Sequence, residues 1–274
     1  MATGRTDPTQ PRNRKPQEAV TPNDSAETSP RLQSLMADLG IASRRGSAQL
    51  VQEGRVKVDG QQVYEPGFRV ANPSTAVITV NGINHSMRGR ALKTTTIMLN
   101  KPRGLVCSSD DAHEPTVFEC LRGIRARLVC AGRLDKNSEG LLILSDDGDL
   151  INRLTHPRFG HKKEYLATVR GNISQAVLDF LNSPIRMDGY TTQPARVEYV
   201  KRISTDYHGA RHQLKFVLAE GRNRQIRNMC EQADLNVVRL VRVAINKLRL
   251  PSDLQPGSWR FLDSRDFSAL ERIP

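Results

Sequence analysis

The side chain in this sequence best placed to do chemistry is an aspartate in a polar loop that runs straight into a buried strand. Residues 131–148 read AGRLDKNSEGLLILSDDG. Leu141 to Leu144 form a continuous apolar run of strand length, stopped by the turn formers Asp146, Asp147 and Gly148, the pattern of a strand covered on both faces. Ahead of it, Gly132, Arg133, Asp135, Lys136, Asn137, Ser138 and Gly140 make a glycine-flanked polar segment. A loop anchored on a rigid strand can present a carboxylate to a ligand. An aspartate beside glycines also serves simply as a turn former, and both roles are open to Asp135.

Three further stretches carry polar groups at the ends of apolar runs. Ile97, Met98 and Leu99 read as a strand entering Asn100-Lys101-Pro102-Arg103-Gly104, where Lys101 either meets a phosphate or solvates a turn. Lys163-Glu164-Tyr165-Leu166-Ala167-Thr168-Val169 reads as a strand with Tyr165, Ala167 and Val169 on one face; a tyrosine there is equally at home as a core or edge residue. Glu220 to Met229 reads EGRNRQIRNM. It places Arg222, Arg224 and Arg227 at the opening of a helix that packs Ile226, Met229 and Cys230.

The chain has 274 residues, enough for one larger domain plus a module. Its formal charge is +12, and the first thirty residues cancel, with Arg5, Arg12, Arg14 and Lys15 set against Asp7, Glu18, Asp24 and Glu27. The surplus therefore belongs to the part that folds, which makes an anionic partner the leading expectation, nucleic acid ahead of a membrane. Cys107, Cys120, Cys130 and Cys230 form no close pair and have no histidine at zinc spacing, so they read as reduced thiols, with no metal site. There is no secretory pattern, apolar span, phosphate-binding glycine loop or dinucleotide fingerprint. The expectation is a cytoplasmic, monomeric protein that uses no cofactor.

The elements that must carry these groups follow in order. Residues 1–30, rich in proline and polar side chains, read as a disordered extension. Leu32, Leu35, Met36 and Leu39 then mark one helix face closed by Gly40; Ser43 offers an N-cap to a second helix, and Val56, Val58, Val63 and Val70 fall in short extended segments. This small α/β module is expected over 31–82. A basic linker is expected over 83–93, and the larger domain over 94–274. Within the latter, Asp149 is expected to cap a helix ended by His156-Pro157, and a further helix is expected from Ser174 to Leu181.

Taken together, these motifs resemble the ribosomal RNA pseudouridine synthases, in the branch that includes the RsuA and RluB enzymes. The GRLD element with its serine, glycine, aliphatic run and Asp-Gly turn, the NKPRG element, TVFECL at 116–121, KEY at 163–165 and EGRNRQIR at 220–227 all match. Glu119 stands where an aspartate is usual, and Asn228 where Arg or Lys is more frequent. Residues 31–63, RLQSLMADLGIASRRGSAQLVQEGRVKVDGQQV, resemble an S-four-type RNA-binding domain.

The resemblance implies an α+β chain: a pseudouridine synthase fold with a mixed, largely antiparallel sheet flanked by helices and loops, preceded by the small module. It implies that Asp135 is the catalytic aspartate, attacking ribose or base or removing a ribose proton. Tyr165 packs on the target base, and Arg227 pairs with Asp135. Arg133 fills the space of a flipped nucleotide. Lys101, Arg222 and Arg224, with Arg44, Arg45, Arg55 and Lys57 of the module, meet RNA. The expected substrate is a uridine in ribosomal RNA, large-subunit first and small-subunit second. A non-catalytic assembly factor would show the same basic module. A carboxylate hydrolase would need a second acid opposite Asp135, for which Glu139 and Glu164 are the nominal candidates.

Overall fold

The computed structural model describes residues 29–86, 94–108, 113–187, 189–207 and 209–271. The chain divides after residue 90 into two compact units. The expected extension over 1–30 lies outside the described residues except for Ser29 and Pro30.

In the first unit α1 (Leu32–Asp38) and α2 (Arg44–Gln52) precede β1 (Val56–Val58), β2 (Gln61–Val63), β3 (Val77–Val80) and β4 (Ile83–Ser86). Ser43 caps α2 by accepting from the Gly46 N–H at 3.0 Å. The strands form one antiparallel sheet in the order β2-β1-β3-β4. Leu32, Leu35 and Met36 of α1, Val51 of α2 and the inward residues Val56, Val58, Ile78 and Val80 share its core. Ile83–Ser86, expected as the start of a linker, instead pairs with β3. Its hairpin turns through Asn81 and Gly82, both at positive φ, and an Asn-Gly pair favours pairing over a free linker. Residues 87–93 are not described.

The second unit is built on a nine-stranded sheet. It begins with β5 (Thr96–Lys101), β6 (Val129–Cys130) and β7 (Glu139–Ser145), followed by α3 (Gly148–Thr155) and β8 (Lys163–Arg170). Next come α4 (Gln175–Asn182), a hairpin of β9 (Arg186–Met187) and β10 (Tyr190–Thr191), and the long β11 (Arg196–Asp206) and β12 (Gly209–Leu218). The chain closes with α5 (Gln225–Gln232), β13 (Asn236–Ile245), β14 (Leu248–Arg249), β15 (Trp259–Phe261) and α6 (Ser264–Glu271). The order is β11-β12-β8-β13-β7-β5-β15, with β14 on β13 and β6 on β7. Only β13 and β7 run parallel, so the sheet is mixed and largely antiparallel.

The strand β7 explains its own sequence. Leu141 and Ile143 pack under α3, α6 and β14, whereas Leu142 and Leu144 face a second core with Ile97, Leu99, Val117 and Leu134. Burial on both faces is what an unbroken aliphatic run supplies. Gly140, at φ 102°, sits against β13 so closely that a Cβ would stand 2.3 Å from Arg242 O, which leaves glycine as the residue that fits. The cap of α3 is Asp147, which accepts from the N–H of Asp149 and of Leu150 at 2.9 Å each. Asp149, the expected cap, lies inside the helix because the turn closes two residues earlier.

Candidate active site

The loop between β6 and β7 is held almost entirely through its backbone. Lys101, at the end of β5, is fully buried. Its Nζ donates to Ser138 O at 2.8 Å, Pro102 O at 3.1 Å, Asp135 O at 3.2 Å and Lys136 O at 3.3 Å. Gly104 N adds a bond to Lys136 O at 2.8 Å, and Ser138 N to Asp135 O at 2.9 Å. From the far side, Arg227 Nη2 donates to Asn137 O at 2.9 Å. Every carbonyl from Asp135 to Ser138 is thereby fixed by an element of the sheet or by α5, and the Asp135 side chain is left over.

That side chain lines an open cavity of about 90 Å³ together with Arg133, Ser138, Tyr165, Arg222, Arg224 and Gln225. The half-buried Asp135 carboxylate makes no hydrogen bond or ion pair with the described residues. Tyr165 enters from β8, opposite Phe216 of β12 and Arg242 of β13, and its ring packs against the cores on both sides of the site. Arg133, Arg222 and Arg224 are exposed at the rim. Arg222 lies over the Tyr190 ring, 4.9 Å from its centroid. Arg224 begins α5 in a left-handed conformation, φ 49°.

Two expectations change here. Lys101 is unavailable to a phosphate, because its ammonium is already surrounded by four carbonyls in the interior. Burial pushes its pKa down, while Cys107, Asp135 and Glu139 support the charge. Arg227 forms no ion pair with Asp135; its Nη2 donates to Asn137 O and its Nη1 to Val237 O at 3.3 Å, and its buried Nε has no partner among the described residues. Its guanidinium is held below the ordinary arginine range first by burial and next by Arg224, with Asp135 opposing. The acid and the base are electrostatic neighbours joined through the loop backbone, and Arg227 positions the loop.

Sequence reasoning passed over two residues. Gln225 is buried, donates to Glu220 Oε1 at 2.7 Å and accepts from Arg222 N at 3.1 Å, which shapes the arginine-bearing turn. Ser138 is 2% exposed, and its hydroxyl has no partner among the described residues. A buried hydroxyl without a partner is uncommon in a folded protein, and Ser138 is one of the residues that line the cavity. Both stood inside recognised motifs, but spacing alone does not show which motif residues face the cavity. Glu139 and Glu164, the nominal second acids, are held by Arg239 at 2.7 Å and Arg249 at 3.3 Å.

A model of the RNA pseudouridylate synthase family matches residues 95–232, and one of the S4 domain matches residues 30–75. The chain belongs to the RNA pseudouridylate synthase family. The ribosomal large subunit pseudouridine synthase B of Bacillus subtilis is 35% identical over 244 residues, 89% of this synthase and 96% of that one. Its namesake from Pseudomonas aeruginosa is 37% identical over 246 residues, 88% of this synthase but 61% of that longer protein. A crystal structure of a pseudouridylate synthase superposes with a TM-score of 0.61 at 26% identity, covering 88% of this synthase and 99% of that chain.

A second lysine is half-buried two residues before Tyr165. Lys163 opens β8, and its pKa falls to about 8, through burial first and then Arg242. Between pH 8 and its ordinary 10.5 the native state has shed this proton while the unfolded chain keeps it. The unfolded state then binds more protons, so stability rises with pH across that window. Lys163→Met is therefore expected to melt higher than wild type at pH 7, with the difference shrinking toward pH 10.5. Parallel melting curves over this range measure it, and a constant difference would reject the assignment.

Proposed function

We propose that this protein isomerises a uridine of large-subunit ribosomal RNA to pseudouridine. The observation that carries the reading is the unpaired Asp135 carboxylate, presented by a backbone-pinned loop to a cavity walled by Tyr165 and rimmed by arginines. The names of the synthase B relatives support the choice of subunit.

The reaction breaks the bond from ribose to base nitrogen, turns the uracil and rejoins it through carbon. Asp135 acts as nucleophile on ribose or base, or takes a ribose proton. Tyr165 packs against the flipped base, Arg133 enters the space it leaves, and Arg222 and Arg224 meet phosphates. The module, which runs at least from 31 to 86, holds RNA through exposed Arg44, Arg45 and Lys57, whereas Arg55 is partly neutralised by Glu53 at 3.0 Å. The catalytic domain spans 94–274. The protein acts as a cytoplasmic monomer.

The direct test is to incubate the purified protein with large- and small-subunit RNA transcripts and map pseudouridine. One modified uridine confined to the large-subunit transcript is the expected result, and none in either transcript rejects the reading. Reversing two module charges, Arg44→Glu with Arg45→Glu, is expected to weaken RNA binding at least about tenfold at low salt and to flatten its salt dependence by about two charges. An unchanged salt slope would remove these arginines from the interface.

A further inference from the structure

The wall of the Asp135 cavity contains one buried polar side chain that the described fold leaves unused. Ser138 lines the cavity with Asp135, is almost completely buried, and its hydroxyl has no partner among the described residues. Its main chain, by contrast, is fully engaged. Ser138 N donates to Asp135 O at 2.9 Å, and Ser138 O accepts from Lys101 Nζ at 2.8 Å. The backbone under the side chain is therefore held, and only the torsion about Cα–Cβ is left to place the oxygen. A serine occupies three staggered positions about that bond. Because the hydroxyl has no partner among the described residues in its present position, turning it forfeits none of the contacts seen.

The rest of the wall indicates what the hydroxyl meets. Leu134, Leu218, Ile226 and Leu240 give the cavity an apolar lining beside Tyr165. Gln225, in the same wall, is already engaged with Arg222 N at 3.1 Å and Glu220 Oε1 at 2.7 Å. The cations Arg133, Arg222 and Arg224 stand exposed at the rim, where phosphates pass. A flat base entering an apolar slot brings polar atoms on its edge, and each one left unpaired there weakens binding. Uracil attached to ribose through nitrogen presents carbonyl oxygens, which need a donor. An ionised Asp135 only accepts, whereas a serine hydroxyl donates. Of the two hydroxyl side chains in this wall, Tyr165 is half-buried and Ser138 is the buried one.

We propose that the Ser138 hydroxyl donates a hydrogen bond to a carbonyl oxygen of the flipped uracil and so fixes the ring against Asp135. The contact rests on the synthase reading. It forms no covalent bond and moves no proton. Tyr165 packs on the face of the ring, Ser138 holds its edge, and the carboxylate three residues earlier on the same turn is left for the chemistry. Held on both sides by its main chain, Ser138 fixes the base with the same rigidity that the loop gives Asp135, which is what a near-attack geometry requires.

Ser138→Ala and wild type are compared on the large-subunit transcript by single-turnover rates at saturating enzyme, equilibrium RNA binding and thermal melts. Turnover is expected to fall about tenfold, the worth of one hydrogen bond to the base. RNA affinity should stay within about twofold, because the rim arginines and the module carry it. The melting temperature should equal or exceed that of wild type, since none of the contacts seen is lost. The contact itself is read by placing 2-thiouridine or 4-thiouridine at the target position, where sulfur is the poorer acceptor. One of the two is expected to slow wild type about tenfold more than it slows Ser138→Ala. Equal slowing of both proteins by each sulfur-bearing RNA, an alanine variant that turns over like wild type, or a lowered melting temperature overturns the contact. If wild type makes no pseudouridine at all, the synthase reading fails and takes this contact with it; an active wild type without the sulfur effect removes the contact alone.

Discussion

Asp135→Asn is expected to abolish pseudouridine formation while leaving the fold and RNA affinity intact. Asparagine keeps the size of the side chain and removes its charge and basicity. Because the carboxylate makes no bond with the described residues and Lys101 holds the loop by its main chain, the substitution breaks none of the contacts seen to support the loop. The unfolding temperature should therefore match wild type. Loss of a positioned nucleophile or base lowers turnover by about 10²–10⁴-fold or more. Tritium release from RNA carrying uridine labelled at carbon 5 measures the step directly, since that carbon loses its hydrogen when it becomes the glycosidic atom. Turnover within tenfold of wild type would remove Asp135 from the chemistry and leave an RNA binder.

The second large effect belongs to a residue that never meets RNA. Lys101→Met retains the length of the side chain and deletes the ammonium that four carbonyls share. Lys136 O still has Gly104 N at 2.8 Å and Asp135 O still has Ser138 N at 2.9 Å, but all four carbonyls lose the shared ammonium. Removing one partner of a buried charged hydrogen-bond cluster costs about 3–5 kcal/mol, a fall of about 10 °C or more in melting temperature for a domain of this size. Even the folded fraction should turn over on the order of 100-fold more slowly, because the loop that aims Asp135 is loosened. Lys101→Arg is not expected to rescue it, since a planar guanidinium does not fit a pocket shaped around a compact ammonium. Thermal melts and single-turnover rates test this together. Normal stability with a loss confined to RNA affinity would restore the phosphate role.

Much of the fold could be read from local pattern. The double-sided burial of β7 follows from its aliphatic run, the capped α2 from Ser43, and the α5 packing from Ile226, Met229 and Cys230. The basic character of 83–93 suggests a linker, whereas Asn81-Gly82 just before it is a hairpin signal, and 83–86 pairs as a strand. The cap of α3 lies two residues earlier than expected because Asp146, Asp147 and Asp149 can all cap, and the turn through Gly148 leaves the choice to tertiary contacts.

What residue types and spacing supplied was a set of candidates, an aspartate on a loop feeding a buried strand, a tyrosine on another strand and an arginine cluster opening a helix, and the family resemblance gave them their roles. What only the tertiary structure decided was which polar group answers which. Lys101 and Arg227 both look, in sequence, like charges meant for phosphate or carboxylate. Their partners are backbone carbonyls, four of the six lying 34 to 90 residues away in the chain. Every residue carries a carbonyl, so no side-chain motif marks one as a partner; it becomes one only when the folded chain carries it into the interior, where an unmet acceptor is costly and a buried cation must be shared.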